Sequence, residues 1–375
     1  MAAAMIPAAD ARPEGPVQAV IRASRSPGER RVALILDDVV TEAWVERPAR
    51  PDGVGDVLAA HVSAVAPAMA GAFLTMPDGQ TGFLPESEAS LSRRPLREVV
   101  QEGRLLVVRI TRAAQGAKGP RVSVKRAPPL AATQPGLIER GPDAALRLRA
   151  AYPQAQILAD DPTEAARLGA RLVTRAFDDE IEAEFEALAS PSIPLEGGGR
   201  LIIQTTHALT AIDVDAGSHA GADRAAAQAL NTAALREAAR QIRLRNCAGG
   251  ILIDAAGMAA RDRVALEPAL RQALAPDRLA ECLGTGPLGL YELRRARIHP
   301  PLSETLAGPL TPGLALLRAA GREAAHAPHR RLALHAPPAV LAALRALPEA
   351  LAEYGRAAGH ALTLTPGESG ITDAE

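Results

Sequence analysis

The stretch Arg200–Asp254 constrains this 375-residue chain more than any other part. Arg200–Thr206 and Leu209–Asp215 read as strands. Arg224–Arg245 carries an Ala/Leu/Arg pattern of helical period, and Gly249-Gly-Ile-Leu-Ile-Asp254 is a short apolar strand closed by a carboxylate. A second helical pattern follows over Ala259–Ala275, and Leu288–Leu293 is a further strand candidate. Strand, helix, apolar strand, helix is the signature of a βαβ unit with a parallel sheet. The right-handed crossover rule puts the strand ending at Asp254 into the sheet that holds Asp213 and Asp215. Residues i and i+2 of a strand share a face, so Asp213 and Asp215 point the same way. If the two strands are neighbours, about 4.8 Å apart, Asp213 and Asp254 both sit at strand ends of the kind where open α/β sheets place ligands. Carboxylates gathered there ionise together only at a cost, unless a cation joins them. A hard ion such as Mg²⁺ fits, held by one or two carboxylates with waters and a phosphate. It could activate water and neutralise charge on a phosphodiester. The alternative is that these are strand-end aspartates that make turns or cap helices.

A second pattern lies in residues 56–126. Short β-type segments at 57–66, 71–76, 80–84, 104–112 and 120–125 are separated by turns such as Pro77-Asp78-Gly79-Gln80. Five short strands in so few residues predict a small barrel of the OB type. The chain has only eight aromatic residues, and two of them, Phe73 and Phe83, fall here. Residues 92–126 hold ten Lys/Arg against Glu98 and Glu102. Aromatic faces stack bases while basic side chains follow phosphates. The other reading is that the phenylalanines fill the barrel and the charges are a solvated face. The same choice applies to Arg236, Arg240 and Arg243, which share one face of the 224–245 helix. His207 and His219 flank the Asp213 strand, but the eight histidines show no HxxxH spacing.

Composition sets the remaining bounds. The formal net charge of −1 advertises no nucleic acid partner. No apolar run reaches eighteen residues, the first residues lack a basic leader, and Cys247 and Cys282 are far apart. A cytoplasmic protein without a disulfide framework or a Cys-rich zinc site is expected. Residues 160–196 are acidic, with ten carboxylates against Arg167, Arg171 and Arg175. The tail 302–375 reads as a small α+β unit, with helix patterns over Gly313–Ala324 and Ala339–Ala358 and strands at Arg331–Leu334 and Ala361–Leu364.

These motifs together resemble the catalytic half of the ribonuclease E/G family of bacterial endoribonucleases. The resemblance is carried by LEGGGRLIIQTTHALTAIDVD (195–215), Asn231-Thr232, RQIRLRNCAGGILID (240–254) and GLYELRRAR (289–297). A second block is GAFLTMPDGQTGFLP (71–85) with Gly116-Ala-Lys-Gly119, and a third is Ser26–Pro48. The fold class this implies is α/β plus all-β. An RNase-H-like subdomain (17–54 and 152–199) would contain an inserted OB-fold RNA-binding module (55–126). A connector (127–151) stands where the family has a sensor of the RNA 5′ end. A DNase-I-like catalytic subdomain (200–301) and a small C-terminal α+β subdomain (302–375) would follow, with 1–16 disordered.

The resemblance also assigns residues. Asp213 and Asp254 fall on the family's two metal-binding aspartates, with Mg²⁺ as cofactor. Asp215 falls where the family usually has an asparagine that orients them. Phe73, Phe83 and Lys118 fall on RNA-contacting positions. The implied activity is cleavage of single-stranded RNA by metal-assisted water attack, leaving 5′-phosphate and 3′-hydroxyl ends, in RNA processing or decay. A catalytically weak or inactive RNA-binding protein of the same fold is the alternative. The departures are specific. The segment from Arg126 to Tyr152 is short for a 5′ sensor, and no cysteine follows Cys282. Zinc and the family's zinc-linked tetramer are therefore not expected, which leaves a homodimer open. Asp215 adds a charge beside the metal position, and Ala255-Ala-Gly257 stands where the family has a more polar run.

Overall fold

The computed structural model describes residues 18–90, 96–116, 118–196, 198–206, 208–217 and 224–374. The disordered terminus expected of residues 1–16 lies outside the described residues. The fold is mixed α/β, with open sheets and one closed barrel.

The chain opens with three antiparallel strands, β1 (Ala19–Ser26), β2 (Glu29–Leu36) and β3 (Val39–Glu46). The β2–β3 hairpin turns at Asp37-Asp38, both at positive φ, a conformation that Asp tolerates better than most residues. Next come β4 (Val57–Ala66), β5 (Gly71–Thr75), β6 (Thr81–Pro85), a short helix α1 (Leu96–Val99), β7 (Leu105–Arg112) and β8 (Arg121–Ser123). Their pairing runs β5-β6-β8-β7-β4 and back to β5, which closes a five-stranded barrel. The β6–β8 pair is parallel and the others are antiparallel. Val62, Leu74, Leu84, Val108 and Val122 fill its interior. The five strand positions follow the sequence pattern within about two residues.

The segment after the barrel adds β9 (Gly136–Glu139) to the edge of β4, then α2 (Ala144–Ala151). β10 (Gln156–Ala159) returns to pair in parallel with β1, and β11 (Arg171–Leu172) extends that sheet. The first sheet thus joins residues 19–46 to 156–172 around the inserted barrel. Helix α3 (Pro162–Leu168) starts where the Asp161 side chain accepts the Glu164 N–H, and Pro162 occupies the first turn. Helix α4 (Asp179–Ala187) is capped in the same way by Asp178.

A second sheet follows: β12 (Ser192–Pro194), β13 (Arg200–Thr205), β14 (Leu209–Asp215), helix α5 (Arg224–Leu244), β15 (Gly249–Asp254), helix α6 (Ala260–Leu274), β16 (Ala280–Thr285) and β17 (Tyr291–Arg295). Its order is β12-β13-β14-β15-β17-β16. β14 and β15 are parallel neighbours, as the crossover rule requires, but the sheet is mixed, since every other pair is antiparallel. Helices α5 and α6 cover one face only, with Leu235, Ile242, Leu266 and Leu270 packed on Ile212, Ile251, Ile253 and Tyr291. Gln204, Ala211, Asp213, Gly250, Asp254 and Arg294 are exposed on the opposite, open face.

The tail holds α7 (Leu302–Thr305), α8 (Leu310–His326), β18 (Leu332–Ala336), α9 (Pro338–Arg345), α10 (Pro348–Ala358), β19 (Thr363–Pro366) and β20 (Gly370–Asp373). The single helical pattern over Ala339–Ala358 is two helices. Pro348 has no N–H to continue the ladder, so the helix breaks before it, at Leu347. β1, β16 and β20 carry no distinct strand signal in the sequence. β16 is a polar edge strand with a bulge between Cys282 and Gly284, so it has no clean alternation.

One buried charge cluster ties the first sheet to α4 and the tail. Arg31, 4% exposed, donates two hydrogen bonds to the Glu182 carboxylate at 2.7 and 2.9 Å. Its guanidinium also lies 4.7 Å from the Phe177 ring centre. Arg322 of α8 pairs with the same carboxylate. Burial alone would raise the Glu182 pKa, but the hydrogen bonds and charges of Arg31 and Arg322 outweigh it and hold the value at about 2. A folded value below the unfolded one, about 4.3, stabilises fully above that unfolded value and is lost as pH falls toward 2. Glu182→Gln should therefore cost roughly 3 kcal/mol at neutral pH, because Arg31 is left buried without its counter-charge. The gap from wild type should narrow between about pH 4.5 and 2. Denaturant unfolding of both proteins across that range checks this, and a gap independent of pH would refute it.

Candidate active site

The parallel register of β14 and β15 makes Asp213 and Asp254 direct partners. Both side chains are exposed on the open face of the second sheet. The strand-to-strand spacing of about 4.8 Å therefore sets two carboxylates abreast. Asp213 has no hydrogen-bond partner among the described residues. Asp254 accepts one bond among the described residues, from Arg263 to Oδ1 at 2.7 Å, which leaves Oδ2 without a partner among them.

Asp215 shares their face but is otherwise engaged. It pairs in register with Arg200, whose Nε and terminal nitrogen reach its Oδ2 at 2.9 and 2.8 Å. Its Oδ1 accepts the Gly217 N–H at 2.9 Å. That backbone bond, followed by Arg200, holds its carboxyl below the usual range. Two carboxylates with free oxygens, and a third tied to a cation, are the donor set available here. Among the described residues no three His, Cys, Asp or Glu side chains gather around one metal position. The set suits an ion that keeps most of its waters and takes one or two carboxylates, rather than a closed protein cage.

The strand end that carries Asp254 is fixed from behind. Asn231 of α5, fully buried, donates to the Ala256 carbonyl at 2.9 Å and accepts the Ala256 N–H at 2.9 Å. Arg263 of α6 donates to the carbonyls of Ala255, Met258 and Gly289 as well as to Asp254. The Tyr291 hydroxyl donates to the Arg263 carbonyl at 2.8 Å, and burial pushes its pKa up to about 12. The Ala255-Ala-Gly257 run thus has its backbone held by neighbours although its own side chains are small. Arg263 does not stand out in the sequence, because an arginine early in a helix reads as a solvated face. Its distinguishing signal is position, nine residues after the strand-end aspartate.

The barrel does not use its aromatics as core filling. Phe73 and Phe83 are register partners on β5 and β6, their ring centres 5.5 Å apart at 58°. Neither belongs to the barrel core; Ala72, Leu74 and Leu84 point inward while the two rings lie half-exposed outside. Gly71 makes room, since a Cβ there would lie 2.4 Å from the Phe83 ring. Lys118 is exposed in a tight hairpin, bonded through its backbone to Gln115. These three residues share one barrel but not the open face of Asp213 and Asp254.

Arg240 and Arg243 are neither free cations nor a solvated face. Arg240 bonds Glu237, Glu184 and the Val40 carbonyl, and Arg243 bonds Glu42 and the Tyr152 hydroxyl. They fasten α5 to the first sheet, while Arg236 stays exposed. His207 and His219 lie outside the described residues. A cavity of about 960 Å³, lined by Trp44, Arg47, Asp52, Arg140, Arg147 and His299 among others, includes none of the carboxylates of the open face.

Comparison with known proteins places residues 165–298 in the ribonuclease E/G family model. The chain is similar to "Ribonuclease G" of Salmonella typhimurium (strain SL1344), at 25% identity over 392 aligned positions, covering 75% of this chain and 80% of that protein. It is 35% identical over 137 residues to "Ribonuclease E/G-like protein, chloroplastic" of Arabidopsis thaliana, covering 35% of this chain and 14% of that one. It is 35% identical over 130 residues to "Ribonuclease E" of Escherichia coli (strain K12), covering 34% and 12%. The chain therefore spans most of the length of the first and a small part of the other two. Asp213, Asn231, Asp254 and Arg263 all lie in the family-matched segment.

Asn231→Ala should destabilise the fold by about 1–3 kcal/mol, because it takes the Asn231 amide away from the part-buried Ala256 N–H and carbonyl. Asp215→Asn should leave the thermal midpoint unchanged, since its ion pair is on the surface. Thermal and denaturant unfolding of the two variants side by side checks the contrast.

Proposed function

From a chain that belongs to the ribonuclease E/G family, we propose an endoribonuclease that cleaves single-stranded RNA and leaves 5′-phosphate and 3′-hydroxyl ends. Its setting would be RNA processing or decay in the cytoplasm. Among the described residues no helix is long and apolar enough to cross a membrane. The observation that carries the reading is the in-register pair Asp213/Asp254, exposed on the open face of a sheet within the family-matched segment.

Asp213 and Asp254 would hold Mg²⁺, which when bound supplies Lewis acidity for water attack and neutralises charge on the phosphodiester. Asp213 offers both oxygens and Asp254 offers Oδ2, its Oδ1 being kept in place by Arg263. Asp215, steadied by Arg200 and Gly217, flanks the pair and orients it as a neighbouring charge. Phe73 and Phe83 present ring faces on which bases stack, at a typical worth of about 1–3 kcal/mol per base. Lys118 contacts a phosphate as a mobile point charge. Asn231 and Arg263 are positioning residues that fix the end of β15. An RNA-binding protein without turnover is the second reading. It is favoured by the Arg263–Asp254 ion pair and by the diversion of Asp215 to Arg200, both of which lower the negative charge available to a cation.

Cleavage of a labelled single-stranded RNA in Mg²⁺ separates the two. Asp213→Asn should slow it by about 100-fold or more, the effect of losing several kcal/mol of metal-based stabilisation. Equal rates for variant and wild type would refute the assignment, and salt-sensitive binding with no metal-dependent product would favour the second reading. The segment after the barrel holds only β9 and α2 before β10. Rates on 5′-monophosphate and 5′-triphosphate substrates should therefore be similar. A large preference for the monophosphate would point to a sensor within 127–160.

A further inference from the structure

The outside of the barrel carries a row of side chains, of which base stacking uses only half. Phe73 on β5 is the register partner of Phe83 on β6, Phe83 of Arg121 on β8, and Arg121 of Arg112 on β7. Four adjacent strands make this row roughly 14 Å long. Two rings lead into two guanidinium groups. Arg112 and Arg121 are half-buried, and neither pairs with a carboxylate among the described residues. Arg112 Nε and the nearby Gln115 Nε2 are buried with no hydrogen-bond partner among the described residues.

A third arginine reaches the row from the second sheet. Arg297 follows β17 by two residues, donates to Gln115 Oε1 at 3.3 Å, and lies against Gly249 at the start of β15. A Cβ at Gly249 would come within 2.6 Å of Arg297 Nε, so the glycine is what lets the guanidinium sit there. The Ala113 N–H bonds the Ile298 carbonyl at 2.8 Å and joins barrel to sheet beside it. Burial, then the charges of Arg121 and Arg297, hold the Arg112 pKa below its ordinary value. Three like charges are held together here without a counter-charge among the described residues. Elsewhere Arg30, Arg31, Arg167, Arg240 and Arg243 all meet carboxylates.

We propose that Arg112, Arg121 and Arg297 form a phosphate-binding site at the junction of the barrel and the second sheet, which takes an internal phosphodiester of the strand whose bases stack on Phe73 and Phe83. The inference rests on the RNA-binding part of the proposed function and adds three residues and a path to it. Guanidinium forks match phosphate oxygens two at a time, which a lysine does not do. The site lies at the Gly249 end of β15 and Asp254 at the other end, five residue steps or about 17 Å along the strand. A strand held at the junction would meet the carboxylate pair at a distance fixed by the length of β15.

The test is fluorescence anisotropy with a 5′-hydroxyl single-stranded RNA, without divalent cation, over a series of salt concentrations. Arg112→Gln/Arg121→Gln should weaken binding and flatten the plot of log affinity against log salt by about 0.7, the value for one phosphate of a single strand that is no longer neutralised. Arg112→Lys/Arg121→Lys keeps the charge and should keep the slope. Phe73→Ala/Phe83→Ala should weaken binding with the slope unchanged. Arg297 is left intact because it also packs on Gly249, and Arg121→Gln alone, with half the effect, serves if the double variant does not fold. An unchanged slope in the Gln variants overturns the proposal. A loss seen only with a 5′-phosphorylated strand also overturns it, since the site would then take a terminal phosphate. Wild type that binds no RNA at all would instead remove the functional reading on which the proposal rests.

Discussion

Two carboxylates abreast on adjacent parallel strands are the constraint around which the second sheet is arranged. The β14–β15 register makes Asp213 and Asp254 partners whatever their side chains do, so their mutual repulsion is built into the backbone. The surrounding residues limit how that repulsion can be relieved. Asn231 and Arg263 hold the backbone after Asp254, so the strand end is not free to peel away. Helices α5 and α6 fill one face with aliphatic side chains, so the carboxylates can only turn to the open face. Arg263 offsets part of the charge on Asp254 and leaves Asp213 without any partner among the described residues. What relief remains must come from solvent or from a ligand on that face.

The barrel stands in a fixed relation to this face for reasons of connection and packing. It is inserted between β3 and β10, two strands of the first sheet, so both of its ends return to one place. It is also joined sideways to the second sheet through Ala113–Ile298 and Gln115–Arg297. The first sheet is in turn fastened to α5 by Arg240 and Arg243 and to the tail by Arg31–Glu182–Arg322. The outward rings of Phe73 and Phe83 are therefore carried on a barrel joined to both sheets. Such a scaffold suits a role in which one strand of RNA is held at two places.

Much of this is legible in the sequence, and the limits have physical causes. The neighbouring strands of Asp213 and Asp254 follow from one apolar strand, one helix and the handedness of crossovers. The barrel strands follow from β-type runs between turn residues. Whether Phe73 and Phe83 face in or out does not follow, because alternation fixes which residues share a face but not which face meets the core. The partner of Asp215 does not follow either. Arg200 lies fifteen residues away, and only the antiparallel register of β13 and β14 brings them together. Edge strands such as β16 leave no trace because a bulged, polar strand has no pattern to read. Arg263 is equally hidden, because its acceptors, Gly289 among them, are gathered around it only by the fold.

Net charge is the least informative quantity of all, and the fold explains why. Six of the ten carboxylates of 160–196 are not a free acidic face. Asp160 accepts the Arg25 and Ala176 N–H groups, and Asp161 and Asp178 cap helices. Glu164, Glu182 and Glu184 pair with arginines from three other elements. Their charge is consumed in building the molecule and contributes little field outside it. Arg112 and Arg121 on the barrel meet no such partners among the described residues, so their charge remains. A chain can therefore be near neutral in sum and still present a basic surface, because structural ion pairs cancel both signs locally while cations outside those pairs are left over. Which arginines belong to which class is decided by register and burial. That is why Arg112 and Arg121, a few residues from others of the same type, stand apart from them.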